Sequence, residues 1–356
     1  MTVARTLTIL TIAAVAAAGL RAAQTPSSDI TAVQGIKVGH HTLKERPTGC
    51  TVVLVDGDGA VGGVSQRGGA PGTRETNLLD PANLVDKVNA IVLSGGSAFG
   101  LDAATGTVRW LEEHNVGWNV GVGKVPIVPA AILFDLTVGG DAKVRPTADC
   151  GYRAAAAASD RRVEEGSIGA GAGATVGKLG AAAGGSRKLL PMKGGIGSAS
   201  IALPNGVVVG AIAAVNAAGD IIDPKTGAVI AGVRDANGTL ADVRTLLRSG
   251  AILGSMRPGT NTTIAVVATN ATLSKADVHR MALMADDGLA RAIVPSHTIS
   301  DGDTVFALAT GRRAGAADAS VIGALAAEVL SEAIVRAATQ ATSIPNFPAA
   351  RDLPRR

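Results

Sequence analysis

Residues 259–269 read GTNTTIAVVAT. After the turn-rich lead GSMRPG (254–259), a polar knot runs directly into TTIAVVAT (262–269), which has the composition of a buried strand. Asn261, Thr262 and Thr263 at the mouth of that strand admit two readings. One is a plain turn, because Asn, Thr and Gly are ordinary loop residues. The other is a self-cleavage site that leaves a threonine as a new N-terminus and nucleophile. Spacing alone favours the turn, and the choice falls to the rest of the chain.

The chain has 356 residues, enough for one large domain or two small ones. Hydrophobic residues make up 47% and aromatics only 2%, so a core must be built from Ala, Val, Ile and Leu. Glycine is abundant, at 46 residues, and clusters in stretches such as GAGAGATVG and GGSAFG without a three-residue period, which excludes collagen. The net charge of +4 is small and spread along the chain. With one Tyr, two Trp and four Phe, base stacking is poorly supplied, and nucleic acid is not an expected partner.

Residues 1–29, MTVARTLTILTIAAVAAAGLRAAQTPSSD, place Arg5 before a mostly apolar run at 7–20. That run is short for a membrane span and resembles a secretory signal, with cleavage expected near Ala22 or Ala23. Later apolar runs are interrupted by Pro, Asn or charge, so no stable membrane insertion is expected after signal removal, and the mature protein should be periplasmic or secreted. Cys50 and Cys150 could pair in an oxidising compartment, but two cysteines alone do not establish a bond. The five histidines are scattered, with neither CxxC nor HExxH, so neither a metal nor a cofactor is expected.

Strand-like and helix-like segments alternate irregularly. Residues 50–55 and 90–95 read as buried strands, 97–114 as a helix, and 198–216 as a hairpin around Asn205-Gly206. Residues 273–294 read as one helix, N-capped by Ser274, with Val278, Met281, Ala285 and Leu289 inward. A strand at TVFALATG and a strong helix over 318–341 follow, and the Pro-rich tail 342–356 is expected to fray. Together these predict one α/β domain of several layers.

Five places offer chemistry, each with a plain structural alternative. GGSAFG (95–100) sits between strand and helix but is no phosphate loop or nucleophile elbow, and packing is its better reading. GAGAGATVGK (169–178) ends in Lys178, a desolvated cation or a solvated loop end. SDGDTVFALATG (300–311) brings Asp301 and Asp303 to a strand start, as a catalytic carboxylate pair or an ordinary Asp-Gly-Asp turn. Tyr152, the only tyrosine, and Asn216, at the end of an apolar strand, are each either oxyanion donors or structural residues.

In this order, GGSAFGLDAATG, VPIVPAAILFDL, GAGAGATVGK, KGGIGSAS, VNAAGD, NTTIAVVATNA and HTISDGDTVFALATG resemble the DmpA-type family of self-processing N-terminal-nucleophile aminopeptidases. That family includes L-aminopeptidase/D-esterases, β-aminopeptidases and nylon-oligomer hydrolases, and the resemblance runs from about Gly35 to about Ala338. It implies a four-layer αββα sandwich, shared with the ornithine acetyltransferases. It implies a precursor that cuts itself between Asn261 and Thr262, after removal of residues 1–23, into chains 24–261 and 262–356. Thr263 is the alternative nucleophile, one residue out of register.

By the same resemblance, Asp301 and Asp303 hold and polarise the amine and hydroxyl of Thr262, and Lys178 adds positive charge. Asn216 and Tyr152 stabilise the oxyanion. The substrate class is a small peptide or amide, with Asp149 and Asp135 as candidates for capture of its ammonium group. The expected assembly is a homo-oligomer, a tetramer of cleaved pairs. An acyltransferase of the ornithine acetyltransferase type is the alternative activity.

Overall fold

The computed structural model describes residues 29–182, 188–252 and 259–353. The signal-like segment with its expected cleavage, and the lead 254–258, lie outside the described residues.

The Thr262–Thr269 strand forms as predicted and lies inside a six-stranded sheet. The order across that sheet is Gly195–Ala202, Val208–Asn216, Thr262–Thr269, Thr304–Ala309, Ala60–Gln66, Lys87–Val88. Neighbours are antiparallel except Thr262–Thr269 and Thr304–Ala309, which run parallel. A second, five-stranded sheet has the order Ile36–Thr42, Gly49–Val55, Ala90–Ser94, Ala130–Ile132, Thr73–Arg74.

Side-chain alternation sorts the core into layers. On the nucleophile-candidate strand, Ile264, Val266 and Ala268 join Phe306 and Leu308 in a core shared with Val53, Ile91 and Leu93 of the second sheet. The intervening Ala265 and Val267 face a different core, built with Val329, Leu330 and Ile334 of the Ala319–Thr339 helix and Val278 and Met281 of the Lys275–Ala285 helix. A third core lies between the second sheet and the helices Ala103–Glu113 and Ala148–Ala156. Three apolar layers between four structural layers make the αββα sandwich that the family resemblance implied.

The small-residue composition has a geometric cause. Where the two outer helices of the second sheet cross, a Cβ on Gly106 would lie 1.6 Å from the Ala148 carbonyl, and one on Gly151 would lie 1.7 Å from the Ala103 carbonyl. Backbones that close leave no room for side chains, so the helix pair requires glycine on both partners.

Two expectations need correction. The single helix over 273–294 is two, Lys275–Ala285 and Asp287–Ala292, with Asp286 fully buried at the junction. Its start is as predicted, a reciprocal capping box between Ser274 and Asp277. The tail is not frayed through residue 353: the Lys193 N–H donates to the Pro348 carbonyl at 2.9 Å, and Ala349 is buried.

Cys50 and Cys150 are bonded, joining the second sheet to its covering helix with a Cα–Cα separation of 6.2 Å. The bridge closes a 100-residue loop. Chain entropy gives such a loop a stabilisation of about 4–5 kcal/mol, and loss of a native disulfide ordinarily costs about 2–5 kcal/mol. Cys150→Ser should therefore lower the melting temperature markedly, and reductant should lower that of the parent but not of the variant. Equal melting of parent and variant in non-reducing buffer would contradict this.

Candidate active site

The site forms where strand ends from the six-stranded sheet meet loops of both sheets. Cα pairing puts Thr262 directly opposite Asn216. The alternation places Thr262 on the face between the two sheets, with Ile264 and Val266, and Thr263 on the helix-facing side, with Ala265 and Val267. The Thr262 hydroxyl donates to the Asn261 carbonyl, and the Gly302 N–H donates to the same oxygen at 2.8 Å. A Cβ on Gly302 would stand 2.8 Å from the Ala70 carbonyl and 3.1 Å from Thr262 Oγ1, so glycine keeps the hydroxyl's surroundings open. The hydroxyl of Thr263 is buried and has no partner among the described residues.

Lys178 reaches in from the loop after the small-residue stretch. Its Nζ donates to the Asn216 carbonyl at 2.7 Å and to the Thr260 carbonyl at 2.9 Å. Burial lowers the ammonium to about 7, although Asp301, Asp303 and Asp135 all favour its charged form. The Asn216 side chain is fully buried. Its Oδ1 accepts the Thr175 N–H at 3.0 Å, and its Nδ2 donates to the Phe134 carbonyl at 2.9 Å and, more weakly, to the Thr260 carbonyl at 3.5 Å.

The two aspartates are both buried. Asp301 pairs through its backbone with Asn261, and its Oδ2 accepts the Thr298 N–H at 2.7 Å. Asp303 accepts from the Thr263 N–H at 2.7 Å on one oxygen and from the His297 N–H at 3.0 Å on the other. Burial and the neighbouring charge of Asp303 hold the Asp301 carboxyl above its ordinary range, while Lys178 and bonds from Thr298 pull it down.

Thr262, Asn216, Lys178, Asp301 and Asp303 are thus brought together. Tyr152 is not: its hydroxyl donates to Glu113 at 2.7 Å between the two outer helices, and the Arg109 guanidinium lies 4.5 Å from the ring centroid. Neither candidate for ammonium capture is available. Asp135 is fully buried, bound to Arg46, to the Thr48 hydroxyl at 2.6 Å and to the Gly96 N–H at 3.0 Å, where it holds the GGSAFG turn in place. That is the packing role expected of the turn. Asp149 is exposed and paired with Arg153 at 2.7 Å one helical turn away.

Two residues outside the sequence-predicted set complete the cluster. His297 Nδ1 lies 3.0 Å from Asp303, and its Nε2 lies 3.5 Å from the buried Asp286. Asp286 also accepts the Ser65 hydroxyl at 2.6 Å. Among the described residues, no group of three or more His, Cys, Asp or Glu side chains is disposed to hold a metal ion.

Carboxylates, an amine of lowered pKa and a threonine hydroxyl around one peptide carbonyl make a site for acyl chemistry, and comparison with known proteins agrees. The sequence profile of peptidase family S58 matches residues 28–350. An uncharacterized aminopeptidase of Mycobacterium tuberculosis is 45% identical over 354 residues, covering 92% of this chain and 98% of the relative. A 6-aminohexanoate-oligomer endohydrolase of a Kocuria species is 29% identical, covering 85% and 84%. Among solved structures, a Burkholderia β-aminopeptidase superposes with a TM-score of 0.66 at 24% identity, covering 91% of this chain and 90% of the other. The L-aminopeptidase D-Ala-esterase/amidase of Ochrobactrum anthropi, described as a variant of the Ntn hydrolase fold, superposes with a TM-score of 0.63 at 20% identity, covering 91% and 89%. The chain belongs to peptidase family S58 and is a hydrolase of peptide or amide bonds. The relatives named here carry aminopeptidase and amide-hydrolase names, so the acyltransferase alternative gains no support from them.

The raised carboxyl of Asp301 has a consequence for stability. A carboxyl whose folded pKa lies above its unfolded value costs stability once pH exceeds the folded pKa, and the cost disappears below the unfolded value of about 3.9. Asp301→Asn should melt higher than the parent protein at pH 7. The difference should shrink as pH falls toward 4. A variant that melts lower at neutral pH would show that Asp301 is net stabilising there.

Proposed function

We propose that the protein is an exported, self-processing aminopeptidase in which Thr262 is the nucleophile, first on its own chain and then on substrate. The observation that carries this reading is the Thr262 hydroxyl resting against the Asn261 carbonyl, whose oxygen already receives the Gly302 N–H at 2.8 Å. In the first reaction Thr262 Oγ1 attacks the Asn261 carbonyl carbon and gives up its proton to the carboxylate pair. The Gly302 N–H holds the developing oxyanion. The C–N bond breaks, the proton passes to the departing amine, and water hydrolyses the resulting ester to leave an Asn261 carboxylate and a free Thr262 amine.

Two features of the uncut chain favour that outcome. The Asn261 side chain is fully buried, yet neither its Nδ2 nor its Oδ1 has a partner among the described residues. Each orphaned group costs about 1–3 kcal/mol, a penalty removed when the segment leaves. The Thr260 carbonyl also occupies donors on Lys178 and Asn216. Its departure returns both to the site, where they can take a substrate carbonyl oxygen.

The freed amine then completes the machinery. A threonine hydroxyl needs a base, and an α-amine with a reference pKa of about 7.7–8.0 serves near neutral pH. The chemistry requires only this chain's own groups. Substrates are small peptides or aminoacyl amides, a reading that the aminopeptidase name of the Mycobacterium tuberculosis relative supports. The signal-like N-terminus and the Cys50–Cys150 bond support a periplasmic or secreted location. A homo-oligomer of cleaved pairs is the proposed assembly.

Denaturing electrophoresis of the purified protein should give two bands, with N-terminal sequencing starting the smaller at Thr262. Thr262→Ala should remain one band, whereas Thr263→Val should still split, because the Thr263 side chain faces the helix layer. A smaller band beginning at Thr263 would move the nucleophile by one residue. A wild-type chain that stays intact and releases no product from aminoacyl amides would overturn the proposal. Once processing is complete, Asn216→Ala should lower kcat by about 100- to 1000-fold, the effect of losing one oxyanion donor.

A further inference from the structure

Asp303 is held by more than its own strand. Behind it, on the helix-facing side of the six-stranded sheet, His297 stands between two carboxylates. Its Nδ1 is 3.0 Å from Asp303 Oδ2, an ionic contact and not an aligned hydrogen bond, and its Nε2 is 3.5 Å from Asp286 Oδ1. The His297 backbone N–H donates to the same Asp303 oxygen. Asp286 is anchored in turn by the Ser65 hydroxyl at 2.6 Å and by the Arg67 guanidinium at 3.5 Å. The row therefore runs Thr263 N–H, Asp303, His297, Asp286, Ser65, and it starts on the peptide group one residue from the proposed nucleophile.

Three things argue that this row is built and not incidental. Asp286 interrupts what the sequence writes as one continuous helix, and it is completely buried there. A charge taken that far from water requires a partner, and the row supplies it. His297 holds φ at +56°, a left-handed backbone position that non-glycine residues seldom take. The charged groups facing the imidazole are Asp286, Asp303 and Arg67. Burial and Arg67 oppose its protonation, but the two carboxylates outweigh them, so it is held above its ordinary value.

We propose that His297, clamped by Asp286, is a positioning residue that fixes Asp303 against the Thr263 N–H and places a positive charge behind the carboxylate pair. The inference rests on the proposed Thr262 chemistry. An imidazolium on the far side of Asp303 holds that carboxylate as the acceptor that orients the strand end.

The test uses full-length protein carrying His297→Asn or, separately, Asp286→Asn, which leaves Asp303 and its direct contacts unchanged. Both should slow self-cleavage and lower kcat for an aminoacyl amide by about 10- to 100-fold, the usual cost of losing a partner that orients a working group. KM should change little. For His297→Asn the acidic limb of the kcat profile should move to higher pH, because removing a cation raises the pKa of a nearby carboxylate. A merely structural role would leave that limb in place. In parallel, the imidazole resonances of uncut Thr262→Ala protein are titrated by NMR, His297 being the one of the five histidines lost in the double variant. It should titrate above the ordinary histidine range, and Asp286→Asn should lower it. Unchanged pH limbs with wild-type rates, or an imidazole indifferent to Asp286→Asn, would overturn the proposal. If the wild type neither splits nor turns over substrate while the imidazole still responds to Asp286, the Thr262 chemistry is what has failed, and the positioning role falls with it.

Discussion

The Thr262–Thr269 strand is buried on both faces, and that double burial constrains everything around it. Ile264, Val266 and Ala268 fill the space between the sheets, while Ala265 and Val267 fill the space beneath the long helix. Shifting the strand by one residue would exchange these sets, driving Ile264 into the layer where Ala265 now packs beneath the long helix. The register is therefore fixed by apolar packing several residues away from the chemistry. It carries the first residues of the strand with it, so that Thr262 meets Asn216 between the sheets and Thr263 turns toward the helices. The orientation of the proposed nucleophile is thus set by the core.

Electrostatics at the strand end depend on the same burial. Lys178 and Lys193 are both brought to about 7 by desolvation, so a lowered amine does not by itself mark a working site. Lys193 spends its three protons on the carbonyls of Gly171, Ala174 and Gly194, at 2.8–3.0 Å, and closes the small-residue turn. Lys178 differs in what it touches. One of its acceptors, the Thr260 carbonyl, belongs to the segment whose bond is proposed to break, and its charge is felt by both Asp301 and Asp303. Geometry separates the structural amine from the one proposed to act.

What could be read from the sequence was what local pattern controls. The buried-strand composition of TTIAVVAT, the Ser274 cap and the inward face of Val278, Met281, Ala285 and Leu289 are consequences of residue type at short spacing, and each is present in the fold. The convergence of Lys178, Asn216, Thr262, Asp301 and Asp303 was accessible only through the order of longer motifs, since no single spacing joins residues so far apart. Tyr152 was misplaced because a phenol in sequence says nothing of where its helix docks, and this helix lies outside the second sheet. Asp286 has no local signature, and His297, although it opens the motif HTISDGDTVFALATG, is in sequence one of five scattered histidines. Asp286 looks like one more helix residue in MADDGLA, and its burial follows from Ser65 and His297, which are distant in the chain. Asp135, a candidate for ammonium capture by resemblance, is instead bound to Arg46, 89 residues away in the chain, a pairing that no local pattern reveals.

The sheet order also bears on what a cut after Asn261 does to the fold. The strands Thr262–Thr269 and Thr304–Ala309 would belong to the C-terminal piece, yet they lie between Val208–Asn216 and Ala60–Gln66 of the N-terminal piece. The Ala319–Thr339 helix of the C-terminal piece packs with Ala199, Ala211 and Ala213 of N-terminal strands in one core. Separating the pieces would expose that core and break two ladders of the sheet, which is a large part of unfolding the domain. A nick at the mouth of the strand therefore frees one amine and one carboxylate while leaving the register intact. The segment before Thr262 includes the carbonyl of Thr260, which holds Lys178, and the Asn261 amide, which has no partner among the described residues. A buried strand whose polar end meets two carboxylates and a lysine can accept such a cut, because the packing that orients the new N-terminus does not pass through the bond that is lost.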